Sequence, residues 1–280
     1  MNNNTKVSDV FNFSRFGKYL AFDLKNAWSS YGVAIITLAS IPLIIYVGHI
    51  LFTNLWSDQW TAPSLSSRMA FFGLASIAMA VTVPSKLYGN LTSKKEGTAY
   101  LMVPSSTLEK FVSMLLVCLV ALPVVYFGIY FIEDWLLSVF DPALTGTVFG
   151  TMEEGLLGPG ATDIVSDAEE FSISLMGRGI PAAYMGIAVT LMIFLLGALC
   201  FKKWKIVGTI AVLFALSVLM TLILATMVKN GFDGSAIREY LLANMDRLDK
   251  IFNLWSIILN TIVVVGLGTG IFFRLKSLKL

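Results

Sequence analysis

Few side chains in this sequence can do acid–base, nucleophilic or metal chemistry. There is one histidine, His49, and two cysteines, Cys118 and Cys200. A metal centre needs several ligands close together, and a Ser/His/Asp relay needs an acid and a hydroxyl within reach of an imidazole. His49 lies near the outer end of the first apolar run, with no acid inside a run to pair with it. It reads as a packed or interfacial residue. Both cysteines fall inside apolar runs, so no disulfide framework is implied. The chain has no GxxxxGK[ST] loop to cradle nucleotide phosphates. The acids Asp163, Asp167, Glu169 and Glu170 lack the alternate spacing and the glycine of a calcium loop, and read as a solvated acidic face. The chain is therefore expected to bind no metal or cofactor of its own.

One connection does carry informative spacing. Thr92–Phe111 reads TSKKEGTAYLMVPSSTLEKF. Pro104 disfavours helix at Val103 before it. Ser106 and Glu109 stand three apart, the spacing of a capping box, which starts a new helix at Ser106. Gly97–Val103 is then a separate short element. Its Tyr100, Leu101, Met102 and Val103 need cover, and Lys94, Lys95 and Glu96 lie beside it. Two readings stand on pattern alone. The element docks into a groove of a partner, or it is a re-entry turn packed on the membrane.

The elements around this stretch are set by composition. Of 280 residues, 56% are hydrophobic and 14% charged, with mean hydropathy +0.78. Soluble domains are about 45–50% apolar and about 25% charged, so lipid is the expected solvent. About 20 apolar residues cross a bilayer core. Six runs qualify: Val33–Phe52, Met69–Tyr88, Phe111–Ile132, Ile180–Phe201, Ile206–Val228 and Ile251–Phe273. The first starts too far from the N-terminus, and is too long, for a cleavable signal. The net charge of +2 gives no reason to expect a nucleic-acid partner.

Six spans put both termini on one side. That side collects Lys6, Arg15, Lys18, Lys25, Lys86, Lys94, Lys95, Lys110, Lys202, Lys203, Lys205, Arg274, Lys276 and Lys279. The other side has Arg68, Arg178, Lys229, Arg238, Arg247 and Lys250. Basic residues stay in the cytoplasm, so both termini are expected there. The fold class expected is an all-α polytopic membrane protein with six spans.

Four parts follow from this. Residues 1–32 form a cytoplasmic N-terminus whose Phe16, Leu20, Leu24, Ala27, Trp28 and Tyr31 share one helical face. Such a helix, with basic residues on its flank, is expected to lie flat in the membrane interface. It either anchors the first span or transmits motion along the cytoplasmic surface. Residues 33–132 hold spans 1–3 and the connection 92–111. Residues 133–179 form an acidic external insertion with a breaker cluster at Gly155, Gly158, Pro159 and Gly160. Residues 180–280 hold spans 4–6. They include an amphipathic external segment, 229–250, which is either a soluble helix or one dipping into the outer leaflet. Gly186, Gly197, Gly208, Gly266, Gly268 and Gly270 allow close helix approach.

This order of elements resembles the permease subunits of ABC transporters of the type 2 export family. Glu96, Gly97, Thr98, Leu101, Pro104 and Ser105 match the family's stretch after span 2. The continuation STLEKF, and the N-terminal RFGKYLAFDLKN over Arg15–Asn26, resemble a variant common in Bacteroidetes bacteria. The resemblance implies that Lys94–Ser105 is a coupling segment contacting a separate ABC ATPase subunit. It further implies a second permease copy, in a homo- or heterodimer within the bacterial inner membrane. ATP and Mg would sit on the ATPase, so this chain is expected not to be an enzyme. Membrane lipids are its other expected partners. Spans poor in charge imply a lipid-like, amphipathic or peptide substrate. A mechanotransmission or sensor subunit that conducts nothing is the alternative. The long insertion departs from the family, where that connection is short.

Overall fold

The computed structural model describes residues 11–56, 62–92, 103–144, 146–150, 180–229 and 245–277. Among them the only regular structure is helical. The α-helices are α1 (Phe13–Ala39), α2 (Ile41–Trp56), α3 (Leu65–Leu87), α4 (Thr107–Leu116), α5 (Leu122–Phe140), α6 (Ile180–Cys200), α7 (Lys205–Lys229) and α8 (Met245–Ser277). A π-helical stretch, Val117–Ala121, joins α4 to α5. Four of these helical stretches are long and apolar enough to cross a membrane, or five if the bent pair α1–α2 is one span. The chain is a multi-pass helical membrane protein.

The N-terminal region differs from the flat interfacial helix expected. Asn12 caps α1 by accepting from the amides of Ser14 and Arg15. The helix then runs 27 residues without a break, through Ser29, Ser30 and Gly32, and into the first apolar run. The break comes at Ser40, where α2 departs at 46°. Pro42 explains its position, since proline lacks the amide that would bond Leu38 and its ring crowds the preceding turn.

Three contacts fix how α1–α2 stands. Arg15 meets Glu109, Ser40 meets Glu133 and Tyr46 meets Asp141, at sequence separations of 94, 93 and 95. With Asp23–Ser113 at a separation of 90, the separations stay between 90 and 95 over 31 residues, which places the two helices side by side and parallel. At 1.5 Å per residue this pairing extends about 46 Å. Residues 13–39 therefore run alongside α4–α5. The buried stripe of α1 is Tyr19, Asp23, Ala27, Gly32, Ile35 and Ala39. It lies one residue over from the face expected, so Leu24 and Trp28 are exposed while Phe16 and Leu20 are half-buried.

The insertion also begins later than expected. Helix α5 continues through Glu133 and Asp134 to Phe140. These two acids belong to the helix, and Asp134 is buried. Residues 151–179 and most of 229–250 lie outside the described residues.

Aromatic side chains hold α3 to α5. Phe72 packs on Tyr130 at 4.8 Å, on Phe131 at 5.5 Å and on Tyr126 at 6.4 Å between ring centroids. The Tyr126 and Tyr130 rings are fully buried. A second cluster joins Met114 and Cys118 to Met192, Leu195 and Leu199 of α6 and Ile271 of α8. Pro123, just inside α5, has no amide to offer the carbonyl of Leu119. The Tyr184 hydroxyl of α6 donates to that carbonyl instead. A helix irregularity thus becomes a helix–helix contact.

The glycines divide sharply. A Cβ on Gly197 would lie 1.9 Å from Oγ1 and 3.0 Å from Cβ of Thr209, so the backbone of α6 packs there directly against the Thr209 side chain of α7. Gly268 and Gly270 sit at ordinary contact distance from Met192 and Leu196, whereas Gly186 and Gly266 face open space. Gly197→Ala is expected to destabilise the detergent-solubilised protein by about 1–3 kcal/mol through overpacking. Gly266→Ala is expected to be neutral or slightly stabilising. Adding Thr209→Ala should recover part of the Gly197→Ala loss in thermal unfolding, and absence of recovery would mean that the crossing lies elsewhere.

Candidate functional site

Glu109 is the most heavily bonded side chain at the basic end of the bundle. It occupies the first turn of α4, where Ser106 is the N-cap. The Ser106 hydroxyl accepts from the Glu109 amide at 3.1 Å, and Glu109 Oε2 accepts from the Ser106 amide at 2.9 Å. This is the reciprocal capping box. The carboxylate also gathers donors from the start of α1. Oε1 accepts from the Asn12 amide at 2.8 Å and from Arg15 Nη2 at 2.8 Å. Arg15 Nε lies 2.9 Å from Oε2. Glu109 is fully buried, while the Arg15 side chain is 37% exposed. Every one of these partners is a donor, the pattern of an ionised carboxylate. One side chain thus ties the first turn of α1 to the first turn of α4.

Two turns further along lies a second polar junction. Asp23 Oδ2 accepts from Tyr88 Oη at 2.9 Å and from Ser113 Oγ at 2.8 Å, and all three residues are buried. The junction joins α1, the end of α3 and α4. Sequence pattern did not reveal it, because an acid interrupts the face that packs. The signal available was the i+4 series Arg15, Tyr19, Asp23, Ala27, which places a guanidinium, a phenol and a carboxylate on one stripe.

The same end carries two more ties. Lys205 Nζ, at the start of α7, donates to the Gly89 carbonyl just after α3. Arg274 Nε, near the end of α8, donates to the Leu199 carbonyl at 3.1 Å, which occupies one of the last carbonyls of α6.

The opposite end is held by a buried ion pair. Arg68 Nη1 lies 2.8 Å from Asp134 Oδ1, with the side chains 5% and 1% exposed. Asp134 Oδ2 accepts from the Val148 amide at 2.8 Å, and Arg68 Nη2 donates to the Gly146 carbonyl at 2.7 Å. The start of α3, α5 and the beginning of the insertion are thereby closed into one knot. Glu133 and Asp141, expected within the acidic external insertion, accept from Ser40 and Tyr46 of the α1–α2 pair.

Of the expected coupling residues, Lys94, Lys95, Glu96, Gly97, Thr98 and Leu101 lie outside the described residues. Pro104 and Ser105 are described and precede the cap directly, with the Ser105 amide bonded to the Val103 carbonyl at 2.8 Å. His49 is half-buried on α2, and Cys118 and Cys200 are free thiols. Among the described residues no group of three His, Cys, Asp or Glu side chains is placed to hold a metal. Among the described residues the arrangement fixes helix ends to one another.

No family model, curated protein or solved structure matches the chain. Its class rests on its own fold, that of a multi-pass helical membrane protein. Within it, the Arg68–Asp134 pair gives a direct energetic test. Asp134→Leu alone leaves a guanidinium buried without its counter-charge and is expected to cost about 3–5 kcal/mol. Arg68→Met with Asp134→Leu should cost clearly less than the two single changes added together. Thermal unfolding in detergent measures both, and simple additivity would mean that the pair is not coupled.

Proposed function

We propose that the chain is the permease subunit of an ATP-driven ABC exporter of the type 2 export family. It works with a separate ATPase subunit and a second permease copy in the bacterial inner membrane. One observation carries the reading. The chain after α3 re-enters the bundle at a capped helix start, and the cap residue Glu109 is also the anchor of α1. A push delivered to residues 97–105 reaches α4 through Ser106, and α1 through Glu109, at the same moment. A flexible loop would dissipate that push; a shared carboxylate passes it to two helices.

Counting α6 as a span, and α1–α2 as one, gives six spans with both termini cytoplasmic. The basic end is then the cytoplasmic end, in line with the distribution of lysine and arginine. ATP-driven closure of the ATPase pair would tilt α1 and α4–α5 together. The scarcity of polar groups along α6, α7 and α8 supports a lipid-like, amphipathic or peptide substrate.

A second reading is favoured by one feature. Thr107–Phe140 forms 34 residues of continuous helix, about 51 Å at 1.5 Å per residue. That exceeds a hydrocarbon core of about 30 Å. A rod this long, tied at both ends, also suits a mechanotransmission subunit that works an external partner without conducting substrate. Transbilayer movement of substrate in sealed vesicles separates the two.

Leu101→Asp tests the coupling assignment common to both. A charge in a dry contact should cost several kcal/mol, enough to weaken ATPase association roughly a thousandfold. Leu101→Met keeps volume and apolarity and should be mild. Copurification of the ATPase and ATP hydrolysis in membranes, at matched expression, give the answer. Equal behaviour of the two variants would make the segment a membrane-facing turn.

A further inference from the structure

A cavity of about 350 Å³ opens at the basic end, between the end of α3 and the start of α7. On the α3 side it is lined by Ser85, Lys86 and Asn90, with Tyr31 of α1 beside them. Its other wall is Trp204–Val207, the turn that begins α7. Lys205 is held in place there by its bond to the Gly89 carbonyl. Gly89 leaves the room for it, because a Cβ at that position would lie 2.9 Å from the lysine Cδ.

Two independent features of this cavity ask for an anion. The first is the helix start. The amides of Ile206 and Val207, in the first turn of α7, have no acceptor within the helix, and the peptide dipoles there sum to a partial positive charge. The residue before them, Trp204, has an indole that donates only and so brings no side-chain acceptor to cap them. The second is Ser85. The residue lines the cavity and is 5% exposed, and its Oγ is buried without a hydrogen-bond partner. A buried hydroxyl left unbonded is costly, and an acceptor entering the cavity would satisfy it. Lys86 adds an exposed ammonium at the mouth.

The surroundings decide which anion. Trp204 is 79% exposed and adopts a positive φ of 55°, a backbone conformation uncommon for a bulky residue. Exposed tryptophans of membrane proteins gather at the headgroup level. Beyond it, Val207, Ile210 and Phe214 present an exposed apolar strip along α7. A phosphate at the helix start with acyl chains running down this strip fits both halves of the surface. A small free anion would use only the first.

We infer that this cavity is a binding site for the phosphate headgroup of an anionic phospholipid. Ser85, Lys86 and the amides of Ile206 and Val207 hold the phosphate, and Trp204 covers it. The inference does not depend on the exporter reading, since it needs only a membrane around the helices.

The test uses the full chain in phosphatidylcholine vesicles doped with brominated phosphatidylglycerol, whose bromines quench nearby indoles. The Trp204 signal is the difference between the protein and its Trp204→Phe variant. Quenching should saturate at a few mole per cent of the brominated lipid and should be much weaker with brominated phosphatidylcholine. Lys86→Gln is expected to raise the half-saturating fraction about tenfold and Ser85→Ala about threefold. The paired control Lys202→Gln/Lys203→Gln should move it less than Lys86→Gln. Equal quenching by the two brominated lipids would overturn the proposal, as would an equal effect of the control pair, which would indicate diffuse surface charge. Full displacement by 10 mM inorganic phosphate would show a free-anion site and overturn the lipid assignment.

Discussion

The buried carboxylate of Glu109 is the constraint on which the rest of this bundle depends. It is fully buried, and it accepts from Ser106, Asn12 and Arg15. An acidic group in that position is tolerable only with its donors in place, because an unpaired buried charge is strongly destabilising. Its burial therefore fixes the start of α1 against the start of α4. Once that register is set, the remaining polar groups fall into place along the same two helices. Asp23 meets Ser113, Ser40 meets Glu133 and Tyr46 meets Asp141. Of these contacts, Arg15–Glu109 and Asp23–Ser113 are the ones that hold the first half of α1 alongside α4.

The ties are unevenly distributed. Helices α1, α3, α4 and α5 share the polar junctions and the aromatic core around Phe72, Tyr126 and Tyr130. Helices α7 and α8 are different. The apolar windows of α7 and α8 are 6% and 11% buried, against 44% for α3 and 33% for Thr107–Phe140. Their exposed faces carry Phe214, Leu222, Ile262 and Val265. A bundle with one tightly bonded side and one apolar, lightly packed side leaves surface for lipid or for a second copy. It also allows the bonded side to move as one piece.

Much of this was legible in the sequence, and the reasons for the exceptions are physical. The helical class, the start of a helix at Ser106 and the pairing of Ser106 with Glu109 are local properties, set by hydropathy and by spacing within one turn. The orientation of α1 was not local. Its residues 14–31 have a bulky apolar face and basic flanks, which alone suit an interface. What stands the helix upright is the partner of Arg15, 94 residues away. The placement of Asp134 failed for the same reason: an acid in an acidic stretch reads as solvated until Arg68, 66 residues earlier, is brought beside it. Pro42 was the local signal for the true break, and the apolar run around it hid that signal.

The upright stance of α1 is open to direct measurement. Phe22, Ser29 and Ile36 are exposed positions along it, and single spin labels there report depth through their contrast between oxygen and a water-soluble nickel chelate in lipid vesicles. An upright helix places Phe22 and Ile36 about 20 Å apart along its axis, so the depth should change steadily from one label to the next. The Glu109→Ala variant should reduce that gradient. Equal depths at all three positions in the unaltered protein would mean that α1 lies along the surface, and would contradict the account.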